Sequence, residues 1–247
     1  MFSLRDPETA CGMYSPTYFI ALAVVLAMVV VGLFLSRKFK EKQIRIVLIV
    51  VGAFACSTEV IKQIFFVSNY GWGEFEPLPM YFCSMLLYCP WFALAKNKHL
   101  KLIGTTFLTM GGILAAFAFF AYPNSCIPNY PIYHFMCIRT MLFHGSMIYV
   151  GFLLLITGYS KPELKDFKYF VIAIGTACVF SYIWNMVFDH NMMYISKPLG
   201  IPVADDIYNA IPHVYPFIFM ILESTVPFFI SYGIYKLIMC IKNKKEA

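Results

Sequence analysis

The sequence predicts an all-α polytopic membrane protein: a bundle of seven transmembrane helices with its N-terminus outside and its C-terminus cytoplasmic. Three observations predict it. The 247 residues are 60% hydrophobic and 13% charged, with a mean hydropathy of +0.71, more apolar surface than a soluble fold of this size can hide. Seven apolar runs are each long enough to cross roughly 30 Å of hydrocarbon, which takes about 20 residues. Lysine and arginine collect in alternate loops, the mark of the cytoplasmic side.

The runs are 15–36, 44–67, 78–96, 102–121, 134–157, 167–188 and 214–240. None alternates apolar and polar residues as a strand would, so each reads as a helix whose backbone polar groups are satisfied internally. The first run is too long for a signal peptide, and its positive charges follow it instead of preceding it. The third, opening on "LPMYFCS", reads as a helix that begins with Pro79, where the first-turn N–H groups have no intrahelical partner to lose. No sequence repeat or soluble segment interrupts the series, so the chain reads as one bundle spanning 1–247.

Fifteen of the nineteen basic residues fall in four stretches: Arg37 to Arg45, Lys96 to Lys101, Lys161 to Lys168, and Lys236 to Lys245. Seven crossings put all four on one side. Arg5 and Lys197 fall on the other, and Lys62 and Arg139 lie inside spans. This pattern also accounts for the basic pI near 8.8, and a nucleic-acid partner is excluded because the basic residues do not form one surface. The eight cysteines fall mostly within apolar runs and show no zinc spacing, so no disulfide framework and no metal or cofactor is expected. Cys11 and Cys126 both fall outside and are available to pair. The outer segment 189–213 is long enough for a lid and equally for a surface loop.

Ionisable groups in hydrocarbon are costly and mark paired or functional sites. Glu59, Lys62, Arg139, His144 and Glu223, with Asn185, all lie roughly 5–15 Å below the outer interface at about 1.5 Å per residue. Cys83 falls at the same depth. Two readings stand: a pocket in the outer-leaflet half of the bundle, or an ion-paired girdle that fixes helix packing. A cysteine and a histidine in one layer would suit nucleophilic catalysis, with the thiolate attacking and the imidazole taking its proton. Arg139 or Lys62 would hold a phosphate or stabilise an oxyanion.

The strings "LPMYFCS", "RTMLFHGSMIYVG", "WNMVFDHNMMYISKPLG" and "VYPFIFMILE" resemble recurring segments of the YwaF-like bacterial integral membrane proteins. Those are similar in turn to a eukaryotic transmembrane family of cysteine-dependent phospholipid acyltransferases. The resemblance implies a bacterial cytoplasmic membrane, Cys83 as the acyl-accepting nucleophile and His144 as its base. It also implies membrane lipids as partners, one of them an acyl-donor phospholipid. Glu59, Lys62, Tyr81, Arg139, Asn185, Asn191 and Glu223 are the candidate substrate contacts. Tyr81 departs from the pattern, since many relatives carry His or Gln two residues before the cysteine. The competing reading is a small-molecule or lipid binding or transport protein that uses the intramembrane Glu/Lys/Arg cluster.

Overall fold

Local chemistry sets the helix boundaries. In a computed structural model of the chain, which describes residues 2, 4, 8–76, 78–198, 200 and 202–246, α1 spans Pro16–Ser36. Ser15 caps it by accepting from the Tyr18 N–H at 3.1 Å, and Pro16 takes the first turn, where a missing N–H costs nothing. Helix α2, Glu41–Tyr70, is 30 residues long and stops at Gly71, whose φ of 93° a side chain would resist. It extends three residues beyond the expected 44–67 at each end. Arg5 and Leu199, both used in the sequence reading, lie outside the described residues.

The expected third helix is where sequence and structure part. Residues 78–96 form no continuous helix: a 3₁₀ segment occupies Cys83–Leu87, and α3 is only Cys89–Ala93. Pro79 starts no helix, because the residues immediately after it are irregular. Pro90 supplies the reason for the break, having no N–H to offer the carbonyl four residues back and a ring that crowds it. Tyr88 then folds its hydroxyl back to donate to the Pro79 carbonyl at 3.3 Å. Ser84 through Leu87, Cys89, Pro90 and Ala93 are buried, as broken backbone within an apolar run must be.

Helix α4, Lys98–Thr106, is capped by Asn97, which accepts from the His99 and Leu100 N–H groups at 2.8 and 3.3 Å. A π-helical turn, Phe107–Gly112, joins it to α5, Ile113–Ala121, in one apolar stretch. Helices α6 (Phe135–Ile156) and α7 (Phe167–Phe188) match their expected spans to within a residue. The segment 189–213 after them is not featureless, because a 3₁₀ turn at Met192–Tyr194 and helix α8, Pro202–Ala210, lie within it. Helix α9, Tyr215–Glu246, holds Pro227 in its interior. Among the described residues six helical stretches are long and apolar enough to cross a membrane.

The chain divides into two units, 1–77 with 112–160, and 78–111 with 161–247. In the first, α6 is the central helix and packs against α1, α2 and α5. Tyr18 of α1, fully buried, donates to the Phe120 carbonyl at 2.6 Å. A Cβ on Gly145 would stand 2.6 Å from Val25 Cγ1, so α1 and α6 meet only because Gly145 lacks one. In the second unit α7 packs on α4 and α9, while α3 packs on α4. Gly104 sets that last contact: a Cβ there would lie 2.4 Å from both the Ala93 nitrogen and the Cys89 carbonyl oxygen. Outward faces remain strongly apolar, with Ile20, Val30 and Leu35 of α1 and Ile221 and Leu237 of α9 all more than 60% exposed. Lipid is the solvent such faces require.

Candidate functional site

In the first unit the intramembrane charges find one another. Glu59 on α2 is the hub. It pairs with Lys62 one turn on at 2.7 Å and with the Arg139 guanidinium of α6, and it accepts from the Gln63 amide at 2.8 Å. Lys62 also reaches Glu76 at 3.7 Å, and Gln63 accepts from the Glu76 N–H at 3.1 Å. Two carboxylates therefore answer two cations. The side chains of Arg139 and Glu59 are 11% and 8% exposed, so this is a buried network and its geometry sets its worth. The Arg139 guanidinium also sits 4.9 Å from the Phe143 ring centre, and its Nε is buried with no hydrogen-bond partner among the described residues.

His144 lies one turn beyond Thr140 on the same helix. A carbonyl can only accept, so the 2.8 Å contact to the Thr140 oxygen puts the proton on Nδ1 and leaves Nε2 with its lone pair. Phe119 stacks on the imidazole at 3.8 Å between ring centres and 12° between planes. The ring is thus fixed in both tautomer and orientation.

At one end of this unit the loop before α1 meets the loop before α6. Cys11 and Gly12 donate to the Tyr130 and Ile127 carbonyls at 2.9 and 3.2 Å. All the cysteines are free thiols. The Cys11 sulfur bonds the Ser15 hydroxyl at 3.2 Å, while the Cys137 thiol donates to the carbonyls of both Cys126 and Tyr130 at 3.6 Å. Cys11 and Cys126, which the sequence left available to pair, form no disulfide.

The second unit holds Cys83, Tyr81, Asn185, Asn191 and Glu223. Helix α7 organises it through one buried stripe of Cys178, Ser181 and Asn185, spaced to share a face. Ser181 donates to the Met80 carbonyl at 3.1 Å, which anchors the irregular segment leading into Cys83. Phe82 is held against Phe107 and Phe170, and the Tyr81 ring lies 5.7 Å from the ring of Tyr194. Cys83 is half-buried, whereas Cys89 and Cys178 in the same unit are sealed.

Asn185 and Asn191 are occupied with the backbone. Asn185 accepts from the Met192 N–H at 2.8 Å and donates to the Met192 carbonyl and the Ser196 hydroxyl at 3.0 and 2.9 Å. Asn191 accepts from the Ser196 and Lys197 N–H groups and donates to the Lys197 carbonyl. Together they clamp a loop in which Asp189, Met193 and Tyr194 all take φ between 51° and 57°, a conformation that costs a non-glycine residue about 1 kcal/mol or more. Glu223 of α9 has one polar partner among the described residues, the Cys178 thiol at 3.6 Å.

The sequence-predicted residues thus form two groups: Glu59, Lys62, Arg139 and His144 in one unit, and Tyr81, Cys83, Asn185, Asn191 and Glu223 in the other. Sequence reasoning missed Gln63, Glu76, Cys178 and Ser181. Gln63 is four residues from Glu59, and Cys178 and Ser181 precede Asn185 by seven and four, so helical spacing was an available signal for three of them. Glu76 sits in a loop, where no periodicity points to it.

Helical stretches able to span a membrane, apolar outward faces and buried intramembrane ion pairs define a multi-pass helical membrane protein. A family model described as the TMEM164 family matches residues 13–235, so the chain belongs to the TMEM164 family. No curated protein and no solved structure matches it significantly.

Proposed function

We propose that the chain is a membrane-embedded acyltransferase acting on phospholipids, with Cys83 as nucleophile and His144 as general base. The state of His144 carries the reading. Its Nδ1–H is committed to the Thr140 carbonyl at 2.8 Å, which leaves Nε2 as the atom able to take a proton. Cys83 adds support, as a half-buried thiol opening a proline-interrupted segment in an otherwise apolar run.

In the proposed reaction Nε2 takes the Cys83 proton, and the thiolate attacks the ester carbonyl of a donor phospholipid. The ester C–O bond breaks, and the departing glycerol oxygen takes the proton back from the imidazolium as a lysophospholipid. The acyl thioester is then attacked by the hydroxyl of an acceptor lysophospholipid, whose proton passes to Nε2 and on to the re-formed Cys83 thiol. Incubation of membranes with a radiolabelled acyl donor should yield a hydroxylamine-labile adduct on Cys83. Cys83→Ala should abolish adduct and transfer together, and transfer at the full rate in that variant would end the proposal.

The same proposal takes 78–96 as a seventh, broken crossing, with the N-terminus outside, the C-terminus cytoplasmic and the protein in a bacterial cytoplasmic membrane. The basic loops support it.

A second reading, proton-linked ligand binding, draws on Glu223, a carboxyl in an apolar helix whose described polar partner is a thiol. Ligand uptake that persists in Cys83→Ala and fails in Glu223→Gln would favour it.

A further inference from the structure

A groove of about 210 Å³ runs between α1 and α6, lined by Val25, Met28, Gly32, Leu142, Ser146 and Tyr149 among others. It lies wholly within the first unit and shares no residue with Cys83, His144 or the ion-pair network. Its lining is mostly apolar, but it holds a polar atom with nothing to bond. The Tyr149 hydroxyl has no hydrogen-bond partner among the described residues, and an unmet donor in hydrocarbon is costly. Ser146 does not help, since its own hydroxyl is spent on the Leu142 carbonyl at 2.8 Å.

Depth and charge say what would meet that donor. The Tyr149 ring packs directly on Gly32, where a Cβ would stand 3.1 Å from Cε2. Gly32 is five residues before Arg37, about 7–8 Å along the helix axis. Beyond α1 come Arg37, Lys38, Lys40, Lys42 and Arg45, opposed in that stretch by Glu41 alone. The order from the end of α1 inward is therefore a basic loop, a tyrosine hydroxyl and an apolar channel. A glycerophospholipid has the same order: an anionic headgroup, an ester carbonyl that accepts, and an acyl chain.

We propose that the α1–α6 groove binds one anionic glycerophospholipid from the leaflet bordering the basic loop. The headgroup meets the 37–45 cations, the ester carbonyl accepts from Tyr149, and the acyl chain runs past Ser146 toward Val25. This site is separate from the proposed catalytic residues, and its occupancy does not depend on catalysis.

The test is native mass spectrometry of the purified full chain in detergent, titrated with dioleoyl phosphatidylglycerol, dioleoyl phosphatidylcholine and the diether analogue of the first. One phosphatidylglycerol should bind well above the level of phosphatidylcholine. Tyr149→Phe keeps the ring over Gly32 and removes the donor, so ester-lipid affinity should fall roughly fivefold, the worth of one hydrogen bond. The diether lipid, which lacks the carbonyl, should bind the wild type with that same loss and be indifferent to Tyr149→Phe. Ser146→Leu should fill the channel and abolish the single tight site. Equal binding of the two headgroups, unchanged affinity in Tyr149→Phe, or a dimer cross-linked through Ser146→Cys across this face would each overturn the proposal. Should Ser146→Leu fail to fold, Tyr149→Phe with the diether comparison decides alone.

Discussion

Replacing Glu59 by Gln keeps the shape of the hub and removes its charge. Arg139, 11% exposed, then loses its carboxylate partner, while Lys62 retains Glu76 at 3.7 Å. Breaking a buried pair by removing one partner costs roughly 3–5 kcal/mol. The lower end applies here, because the guanidinium still faces the Phe143 ring at 4.9 Å. The expected loss is about 3 kcal/mol, a fall in Tm of roughly 6–12 °C on the scale for a chain of this size. Arg139→Met should cost less, because Glu59 keeps Lys62 at 2.7 Å and Gln63 at 2.8 Å. The double variant is the decisive one. Removing Glu59 and Arg139 charges together leaves Lys62 facing Glu76, with no stranded ion. It should therefore be about as stable as Arg139→Met, recovering roughly 3 kcal/mol, the whole cost of Glu59→Gln, against the sum of the single changes. Thermal unfolding of the three variants in one detergent measures this directly. Losses that add to within about 0.5 kcal/mol would show that the charges do not act as a unit, and the reasoning would fail.

Asn185→Ala should free the 189–198 loop, since it strands the N–H and carbonyl of the fully buried Met192. A loss of about 2–4 kcal/mol is expected, read as faster proteolysis within that loop. Gly104→Val should destabilise by at least about 2 kcal/mol, because its Cβ would meet backbone at 2.4 Å. Gly233→Ala in α9, with nothing within 4 Å, should instead be neutral or gain up to about 1 kcal/mol, and thermal unfolding distinguishes the two. Reporter fusions after Asn97 and Asn124 should report opposite sides of the membrane, cytoplasmic and external respectively, and the same side for both would refute the proposed topology.

Hydropathy carried most of the helical architecture because lipid leaves so little choice. A run of twenty apolar residues must satisfy its own backbone, and α6 and α7 end within a residue of where composition alone put them. The run at 78–96 misled for the same reason. Its apolar composition is also that of a segment buried in protein, and only Pro90 hinted that the helix would break. For the site, Glu59 and Lys62 announced their contact by spacing, and the cost of a lone charge in hydrocarbon implied a partner for Arg139, but the second carboxylate of the network, Glu76, was not visible. How Asn185 and Asn191 are held was not legible in the sequence. Their partners are backbone groups of a left-handed loop, and no residue pattern announces φ near 55° at Met193 and Tyr194.

The broken segment bears on more than local geometry. Six long helices crossing alone would send Lys96, Lys98, Lys101, Lys161 and Lys165 to the side opposite Arg37 to Arg45, splitting the basic residues between two faces. A seventh crossing by 78–96 gathers them again. The segment that cannot stay helical is therefore the one on which the sidedness of everything after it depends. In the proposed topology it would cross by being buried: Gly104 lets α3 lie backbone to backbone on α4, and Ser181 and Tyr88 bond the carbonyls of Met80 and Pro79. Backbone of that kind persists at membrane depth only where protein encloses it or where it lines a cavity. Cys83 stands at the start of its helical part, half-buried. A proline-broken segment that leaves one thiol partly accessible is a costly structure to maintain for packing alone, which is why Cys83 and not the sealed Cys89 is the thiol to test.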